Sequence, residues 1–188
     1  MKTAVIIAGG PSLTRADVAL VEESGTYMIG INCAYQISGQ LNILYACDAA
    51  FWNEHYTKIN GVVKISLEKT KYKDVFHLEN DGTHGVSDCF PKVKTGGNSG
   101  YQAINLAYLL GFKKIILLGY DMKITAGRVH WHGNHEKLNN PNDNVIKNWI
   151  SNYKDLAALL AARNIQVINA SRDTALDCFI QVELTNLI

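Results

Sequence analysis

The stretch AVIIAGGPSL, residues 4–13, predicts a buried β-strand that ends at a glycine-rich turn. Its first five residues are apolar without alternation, as expected for a strand that helices cover on both faces. Gly9 and Gly10 then allow a close approach of the backbone to another group, and Pro11 and Ser12 follow them. The turn is either a plain reversal of the chain or the mouth of a phosphate site. It matches neither the Walker A pattern nor GxGxxG.

Five further apolar runs are similar to this first one, and helical patterns separate several of them. An order of strand, helix and strand favours parallel pairing, with helices on both faces of the sheet. The sequence therefore predicts an α/β fold, a Rossmann-like domain of three layers with a mainly parallel sheet. The predicted strands are 3–8, 26–32, 42–48, 61–67, 113–121 and 165–171, and the predicted helices are 14–24, 49–58, 98–111 and 143–163.

Small polar residues mark the starts of three of these helices. Ser99, followed by Gln102 three residues later, predicts a capping box. Asp143 is placed to cap the helix 143–163. For Asp48 two readings stay open, because its carboxylate either caps the helix 49–58 or faces a ligand.

Length, composition and charge limit the class of protein. A chain of 188 residues with 47% hydrophobic residues predicts one domain that spans residues 1–188. Its 18 basic and 17 acidic side chains argue against a general nucleic-acid partner, but not against one small anionic ligand. No apolar stretch approaches the roughly 20 residues that a membrane span needs. The four cysteines lack CxxC spacing, so we expect a cytoplasmic protein with reduced thiols.

Two long segments, 68–97 and 120–142, interrupt the alternation and are expected to be loops. The second is expected to be lid-like, at the carboxyl ends of the strands. Three readings of its motif HWHGNH stay open: a zinc site, a lid whose imidazoles act as acid or base, and a surface loop anchored by Trp131. The spacing fits no zinc finger, and we assign no metal ligand. The histidines are His130, His132 and His135.

Small and polar residues follow four of the predicted strands, and the carboxyl ends of parallel strands lie at one rim of a sheet. A second glycine-rich turn, TGGNSGYQ at 95–102, leads into a helix whose free N–H groups favour an anion. We therefore predict a phosphate-bearing ligand at this rim, where Asp48 and Asp121 can share Mg²⁺ with substrate phosphates. For Asp121 a second reading stays open, in which its carboxylate caps or braces the loop after the fifth strand. The predicted rim residues are Gly9, Gly10, Pro11, Ser12, Asn32, Asp48 and Asp121.

Five motifs occur in order along the chain: IIAGGPSL, GIN, YACD, NSGYQAINLAYLLGFKKIILLGYDM and NASRDTALDCF. This ordered set resembles the bacterial sialyltransferases of glycosyltransferase family 42. The resemblance covers most of the chain and thins between residues 66 and 94. Related proteins are encoded in phages and prophages, and the archaeal pterin diphosphokinases share a similar GPSL opening.

The resemblance implies a sheet that binds a nucleotide, CMP in the sialyltransferases, at its carboxyl rim. Asp stands at position 48 and Asn at position 98, where that family has Asn and Thr. Several relatives are tetramers, so the resemblance also implies a homo-oligomer. The residues that correspond to the family's nucleotide site are Gly10, Pro11, Ser12, Asn32, Asp48, Asn98, Ser99 and Gly100.

The chain departs from the family after the fifth predicted strand. The family has tyrosines there that stabilise the departing phosphate, whereas Lys123 stands at the first of those positions and no tyrosine follows before His130. The family's general base is a histidine of the lid, which makes His132 and His135 the candidates. We expect a nucleotide-sugar-dependent transferase of phage or prophage type with a CMP-linked donor. The alternatives are a pterin-type diphosphokinase that uses ATP and Mg²⁺, and a non-catalytic phage accessory protein that keeps the fold.

Overall fold

The computed structural model describes residues 1–133 and 140–188, and strands recur along the whole of this chain. They coincide with the six apolar runs seen in the sequence, apart from four short strands that the sequence did not indicate. The strands are β1 (Thr3–Ile7), β2 (Tyr27–Ile31), β3 (Ile43–Ala46), β4 (Val63–Ser66), β5 (Val75–His77), β6 (Glu79–Asn80), β7 (Lys92–Val93), β8 (Lys114–Leu118), β9 (Gln166–Asn169) and β10 (Ile180–Gln181).

Eight of these strands form one sheet in the order β10-β9-β8-β1-β2-β3-β4-β5. Every neighbouring pair of this sheet is parallel in the described chain. The chain builds the sheet outward from β1 to β5 and then returns to place β8 on the other side of β1. The strand order therefore reverses between β1 and β8, and ligands of open parallel sheets bind at such a point.

In the described part of the chain, four α-helices cover the two faces of this sheet, as the alternation predicted. Because successive residues of a strand face opposite sides, β1 contributes Val5 and Ile7 to one apolar cluster and Ala4 and Ile6 to the other. The helices are α1 (Arg15–Ser24), α2 (Ala49–His55), α3 (Ser99–Leu109) and α4 (Asp143–Ala162), with short 3₁₀ turns at Asn32–Gln36, Tyr56–Lys58 and Leu184–Asn186. The first cluster contains side chains of α1 and α2, and the second contains side chains of α3 and α4, so the three-layer prediction is confirmed.

The start of α3 differs from its prediction by one residue. Asn98 is the N-cap, and its side chain accepts the N–H of Tyr101 at 3.0 Å. The expected capping box of Ser99 and Gln102 is wrong, because Ser99 lies inside the helix and the Gln102 side chain accepts the Tyr45 hydroxyl at 2.6 Å in the core.

The caps of α4 and α2 also differ from expectation. Asn142, rather than Asp143, caps α4 through its side chain. Asp48 occupies the N-cap position of α2, yet its side chain makes no capping hydrogen bond. Glu68 supplies that bond instead, since its carboxylate accepts the N–H of Ala49 at 2.9 Å. The Asp48 carboxylate is therefore not needed for the helix.

The segment 68–97 is more ordered than the expected loop. It contains β5, which forms one edge of the main sheet, and β6 and β7, which pair with each other. Its side chains Leu78, Val86 and Val93 are buried in the cluster below α3. Strands of two or three residues carry no measurable periodicity, which is why the sequence pattern did not reveal them.

Candidate functional site

The carboxyl ends of the central strands surround a cleft with a volume of about 560 Å³. It lies at the switch point between β1 and β8 and extends to the ends of β2 and β3 and the start of α3. Three of the predicted site residues do not line the cleft: Pro11, Ser12 and His132. A fourth, His135, lies outside the described part of the chain. The predicted site residues that line the cleft are Gly9, Gly10, Asn32, Asp48, Asn98, Ser99, Gly100, Asp121 and Lys123.

The first glycine turn is held by the buried carboxylate of Asp121. Ser12 donates its N–H to one carboxylate oxygen at 2.6 Å and its hydroxyl to the other at 2.7 Å. The N–H of Gly10 donates to the carbonyl of Gly119 at 2.8 Å. The two Ser12 donors that were expected to hold a phosphate are therefore already engaged, and Ser12 shapes the turn rather than facing the cleft.

Gly10 and Asp121 approach each other too closely for any side chain at position 10. A Cβ atom there would lie 2.5 Å from Cγ of Asp121 and 2.5 Å from the carbonyl oxygen of Gly119. Asp121 is only 1% exposed, and this burial raises the pKa of its carboxyl group, against the lowering effect of the hydrogen bonds from Ser12. The glycine at position 10 is thus required by close packing.

Buried tyrosines hold the second glycine turn. Besides the N–H of Tyr101, Oδ1 of Asn98 accepts the hydroxyl of Tyr153 at 2.8 Å. The Tyr120 hydroxyl donates to the carbonyl of Gly100 at 3.1 Å. The side chains of Tyr101, Tyr120 and Tyr153 are fully buried. Hydrogen bonds from the core therefore hold the start of α3 in position.

The first turn of α3 borders the same cleft as the first glycine turn. Ser99 and Gly100 line the cleft, as do Gly9 and Gly10. The side chain of Asn98 caps only the N–H of Tyr101, and the first N–H groups of any helix lie outside its own ladder. These groups and the helix dipole make this end of the cleft favourable for an anion.

Asn32 and Asn98 line the cleft, and one buried amide atom of each has no hydrogen-bond partner in the described chain: Oδ1 of Asn32 and Nδ2 of Asn98. Asn32 also has a left-handed backbone, with φ of 49°. Buried polar atoms are nearly always paired, and backbone strain concentrates at functional sites. An acceptor and a donor are therefore unused beside the cleft, and a small movement of the two side chains would bring them to a ligand.

Among the described residues that line the cleft, carboxylates outnumber cations. The acidic lining residues are Asp48, Glu68 and Asp121. Among the described lining residues there is one lysine, Lys123, and no arginine. The Lys123 ammonium group forms an ion pair with Asp173. Partial burial raises the pKa of the Asp48 carboxyl group, and the nearby charge of Glu68 raises it further. The described residues contain no group of three side chains that can hold a metal ion. Mg²⁺ would need substrate phosphates to complete its ligands.

The segment 128–133 lies over the first glycine turn. The N–H of Trp131 donates to the carbonyl of Gly9 at 2.8 Å, and a Cβ atom at Gly9 would lie 2.9 Å from Nδ1 of His130. His130 lines the cleft, and His132 stacks on it with ring centroids 5.2 Å apart. The structure therefore brings His130 to the site, while sequence reasoning had favoured His132 and His135. The hydrogen bond that orients this segment joins residues 122 positions apart, so no local pattern distinguishes the histidines.

A second cavity of about 420 Å³ lies at the ends of β9 and β10. Ser171 and Arg172 line it, and the Arg172 guanidinium pairs with Asp17 at 2.6 Å. Asp17 also bonds to Thr14 at the start of α1, so this ion pair ties α1 to the end of β9. The ion pair between Arg172 and Asp17 thus supports the structure around this cavity.

Comparison of the chain with protein-family models, with curated proteins and with solved structures gave no match. Among the described residues, no helix combines the length and the apolar character needed to cross a membrane. The fold and the cleft define a Rossmann-like α/β protein.

Proposed function

We propose that the protein is a nucleotide-dependent transferase, a glycosyltransferase of the sialyltransferase type that uses a CMP-linked sugar donor. The observation that carries this proposal is that both glycine turns border one cleft at the switch point of the sheet. The motifs that resemble those of glycosyltransferase family 42 support the same function. We further propose that the protein is of the phage or prophage type.

We place the donor's phosphate at the first turn of α3, beside the lining residues Ser99 and Gly100, because the first N–H groups of a helix have no partner within it. The rest of the nucleotide supplies a hydrogen-bond donor to Oδ1 of Asn32 and an acceptor to Nδ2 of Asn98. Asp121 and Ser12 act in support, because they hold the first turn in position. Ser12 therefore supports the site and does not contact the ligand.

The transfer step requires a base and a charge acceptor. A hydroxyl oxygen of the acceptor attacks the anomeric carbon, the bond from that carbon to the phosphate oxygen breaks, and CMP departs with the electron pair. The proton of the attacking hydroxyl goes to the imidazole of His130, which lines the cleft. Lys123 and the amides of α3 stabilise the charge on the departing phosphate.

One observation favours a second candidate, a diphosphokinase that uses ATP and Mg²⁺. Among the described lining residues, Asp48 and Glu68 add two carboxylates to that of Asp121, whose oxygens already accept from Ser12. Carboxylates and phosphate oxygens together are the usual ligands of a Mg²⁺–nucleotide complex. Such an enzyme would transfer diphosphate to a small hydroxymethyl compound. A protein that keeps the fold and binds a nucleotide without turnover is the non-catalytic alternative.

Calorimetric titration with CMP, CDP, and ATP with Mg²⁺ separates these candidates. Binding of CMP or CDP supports the glycosyltransferase, and binding of ATP only with Mg²⁺ supports the diphosphokinase. If none of the three nucleotides binds at millimolar concentration, both the glycosyltransferase and the diphosphokinase are contradicted. Binding of CMP without sugar transfer from CMP-linked donors to any acceptor supports the non-catalytic form.

The variant Asn32→Gly tests whether the nucleotide sits where we place it. Glycine tolerates the left-handed backbone at this position and removes the unpaired amide. Loss of one hydrogen bond of about 1.4 kcal/mol predicts a roughly tenfold weaker affinity for CMP. Asn164→Gly is the matched control, because Asn164 also has a positive φ but is exposed and away from the cleft. Equal affinity in both variants contradicts the placement.

A further inference from the structure

The indole ring of Trp149 lies at the cleft and stacks on no other ring of the described chain. Trp149 belongs to α4, lines the cleft and is partly exposed, and its side chain packs against the apolar cluster of α3 and α4. The other two tryptophans each contact a neighbouring aromatic ring, whereas no described ring contact involves Trp149. The exposed part of this indole is therefore available to a flat ring of a ligand.

One face of α4 rests on the second glycine turn and fixes the position of this indole. Residues three and four positions apart share a face of a helix, so Trp149 lies on the same face as Asn152 and Tyr153. The side-chain amide of Asn152 donates to the carbonyl of Gly96 at 3.0 Å. The hydroxyl of Tyr153 donates to Oδ1 of Asn98 at 2.8 Å. Two hydrogen bonds therefore hold this face of α4 against the turn.

Gly97 allows the indole to approach the turn closely. A Cβ atom at position 97 would lie 3.2 Å from Nε1 and 3.3 Å from Cδ1 of Trp149. Both distances are shorter than the optimal separation of about 3.5–4.0 Å between non-bonded carbon atoms. The backbone of Gly97 is also left-handed, with φ of 81°, which favours glycine on its own account. The nitrogen-bearing edge of the indole therefore lies against the turn that leads into α3.

The neighbours of Trp149 on the cleft lining are apolar. Ile146, one helical turn earlier on α4, is buried and lines the cleft. Met122 also lines the cleft and packs against the same apolar cluster as Trp149. Its left-handed backbone, with φ of 48°, is a conformation that concentrates at functional sites when the residue is not glycine. The carboxylates Asp48 and Glu68 come instead from the ends of β3 and β4. The part of the lining that α4 supplies therefore suits an uncharged ring.

The separation of this indole from the start of α3 fits one nucleotide. The indole lies against Gly97, and Ser99 follows two residues later. Two residues of chain span at most about 7 Å. A ligand that touches the indole can therefore also reach the first turn of α3, at Ser99 and Gly100. A nucleoside monophosphate carries an uncharged flat base and a phosphate on either side of one sugar, so it can contact both places at once.

We propose that the base of the bound nucleotide stacks on the indole of Trp149 while the phosphate lies at the first turn of α3. This inference rests on the proposed function, because it assigns one part of the donor to one side chain of the same cleft. Stacking on an aromatic ring accepts any base, since every base has a π-face. Trp149 therefore contributes affinity for the nucleotide and not a choice among bases.

Calorimetric titration of CMP into the wild type, Trp149→Leu and Trp149→Phe tests the stacking. We expect Trp149→Leu to bind CMP roughly tenfold more weakly, whereas Trp149→Phe, which keeps an aromatic face, should retain most of the affinity. Phe76→Leu is the matched control, because the Phe76 ring is 46% exposed and does not line the cleft, and it should bind CMP as the wild type does. Equal affinity in the wild type and Trp149→Leu, or equal losses in both Trp149 variants, overturns the inference.

Ribose 5-phosphate, which has the sugar and the phosphate but no base, separates this inference from the proposed function. Its affinity, measured by competition with CMP, should be the same in the wild type and in Trp149→Leu. A loss as large as that for CMP would mean that the substitution distorts the glycine turn, and it contradicts the stacking. If the wild type binds neither CMP nor ATP with Mg²⁺, the proposed function fails and the inference falls with it. If CMP binds without dependence on Trp149, the inference alone is overturned.

Discussion

A single methyl group at Gly10 should disrupt the first glycine turn more than its size suggests. In Gly10→Ala the new Cβ atom would lie 2.5 Å from Cγ of Asp121 and 2.5 Å from the carbonyl oxygen of Gly119. Both distances are roughly 1 Å shorter than a normal van der Waals contact. Neither neighbour can yield freely, since Asp121 accepts two hydrogen bonds from Ser12 and Gly119 accepts the N–H of residue 10.

The expected cost follows from these contacts. Insertion of a methyl group into a closely packed site costs about 1–3 kcal/mol. Displacement of the Asp121 carboxylate weakens at least one hydrogen bond to a charged group, which adds about 1.5–3 kcal/mol. We expect the free energy of unfolding to fall by about 3–5 kcal/mol. With a urea slope of about 2 kcal/mol per molar, the midpoint should fall by about 2 M.

Urea unfolding followed by circular dichroism measures this loss, with Gly39→Ala as the matched control. A Cβ atom at Gly39 meets no atom within 4 Å, and its φ is not in the left-handed region. The control should therefore stay within about 0.5 kcal/mol of the wild type. If Gly10→Ala unfolds at the same urea concentration as Gly39→Ala, the close packing of the turn against Asp121 is refuted.

Two further predictions concern the supports around the site and the surface. Tyr153→Phe removes the hydroxyl that donates to Asn98 and should lower the free energy of unfolding by about 1 kcal/mol, seen as a melting temperature about 2–4 °C lower; an unchanged melting temperature contradicts the support. Arg163 and the Tyr108 hydroxyl lower the pKa of Asp88 from 3.8 to about 2, so this ion pair stabilises the fold above pH 4 and loses that effect as the pH falls towards 2. Because the Asp88 carboxylate is more than half exposed, loss of this ion pair in Arg163→Ala should cost less than about 1 kcal/mol at pH 7, and that cost should shrink as the pH falls towards 2; a pH-independent difference in urea unfolding would falsify this.

The sheet and its helices were predictable because their signals are local and long. The run IIA in β1 and the run IILL in β8 are apolar without alternation, and both strands are buried between helices in the structure. The helix α4 repeats apolar residues at helical spacing over its 20 residues. Such patterns reflect burial of a whole face, which the order of residues records directly.

The helix caps were less predictable, because neighbouring residues have similar chemistry. Asn98 and Ser99 are both good N-cap residues, and only the backbone geometry selects Asn98. At α2 the capping carboxylate comes from Glu68, 19 residues from the N–H that it accepts. No spacing rule finds such a partner.

The candidate site, too, was predictable only where its signals are local in sequence. The two glycine turns were expected to meet, and the structure places both on the cleft because parallel strands end at one rim. The roles of Ser12 and His130 depend on contacts with Asp121 and Gly9, which lie more than 100 residues away along the chain. Side chains that fold over a site from a distant loop are visible only in three dimensions.

The most direct test of the proposed site is a crystal structure of the protein soaked with CMP. We predict density for the nucleotide in the cleft, with its phosphate within hydrogen-bond distance of the N–H groups of Ser99 or Gly100 and with a ligand atom bonded to Oδ1 of Asn32. A nucleotide bound elsewhere, or an empty cleft at saturating CMP, would contradict the account.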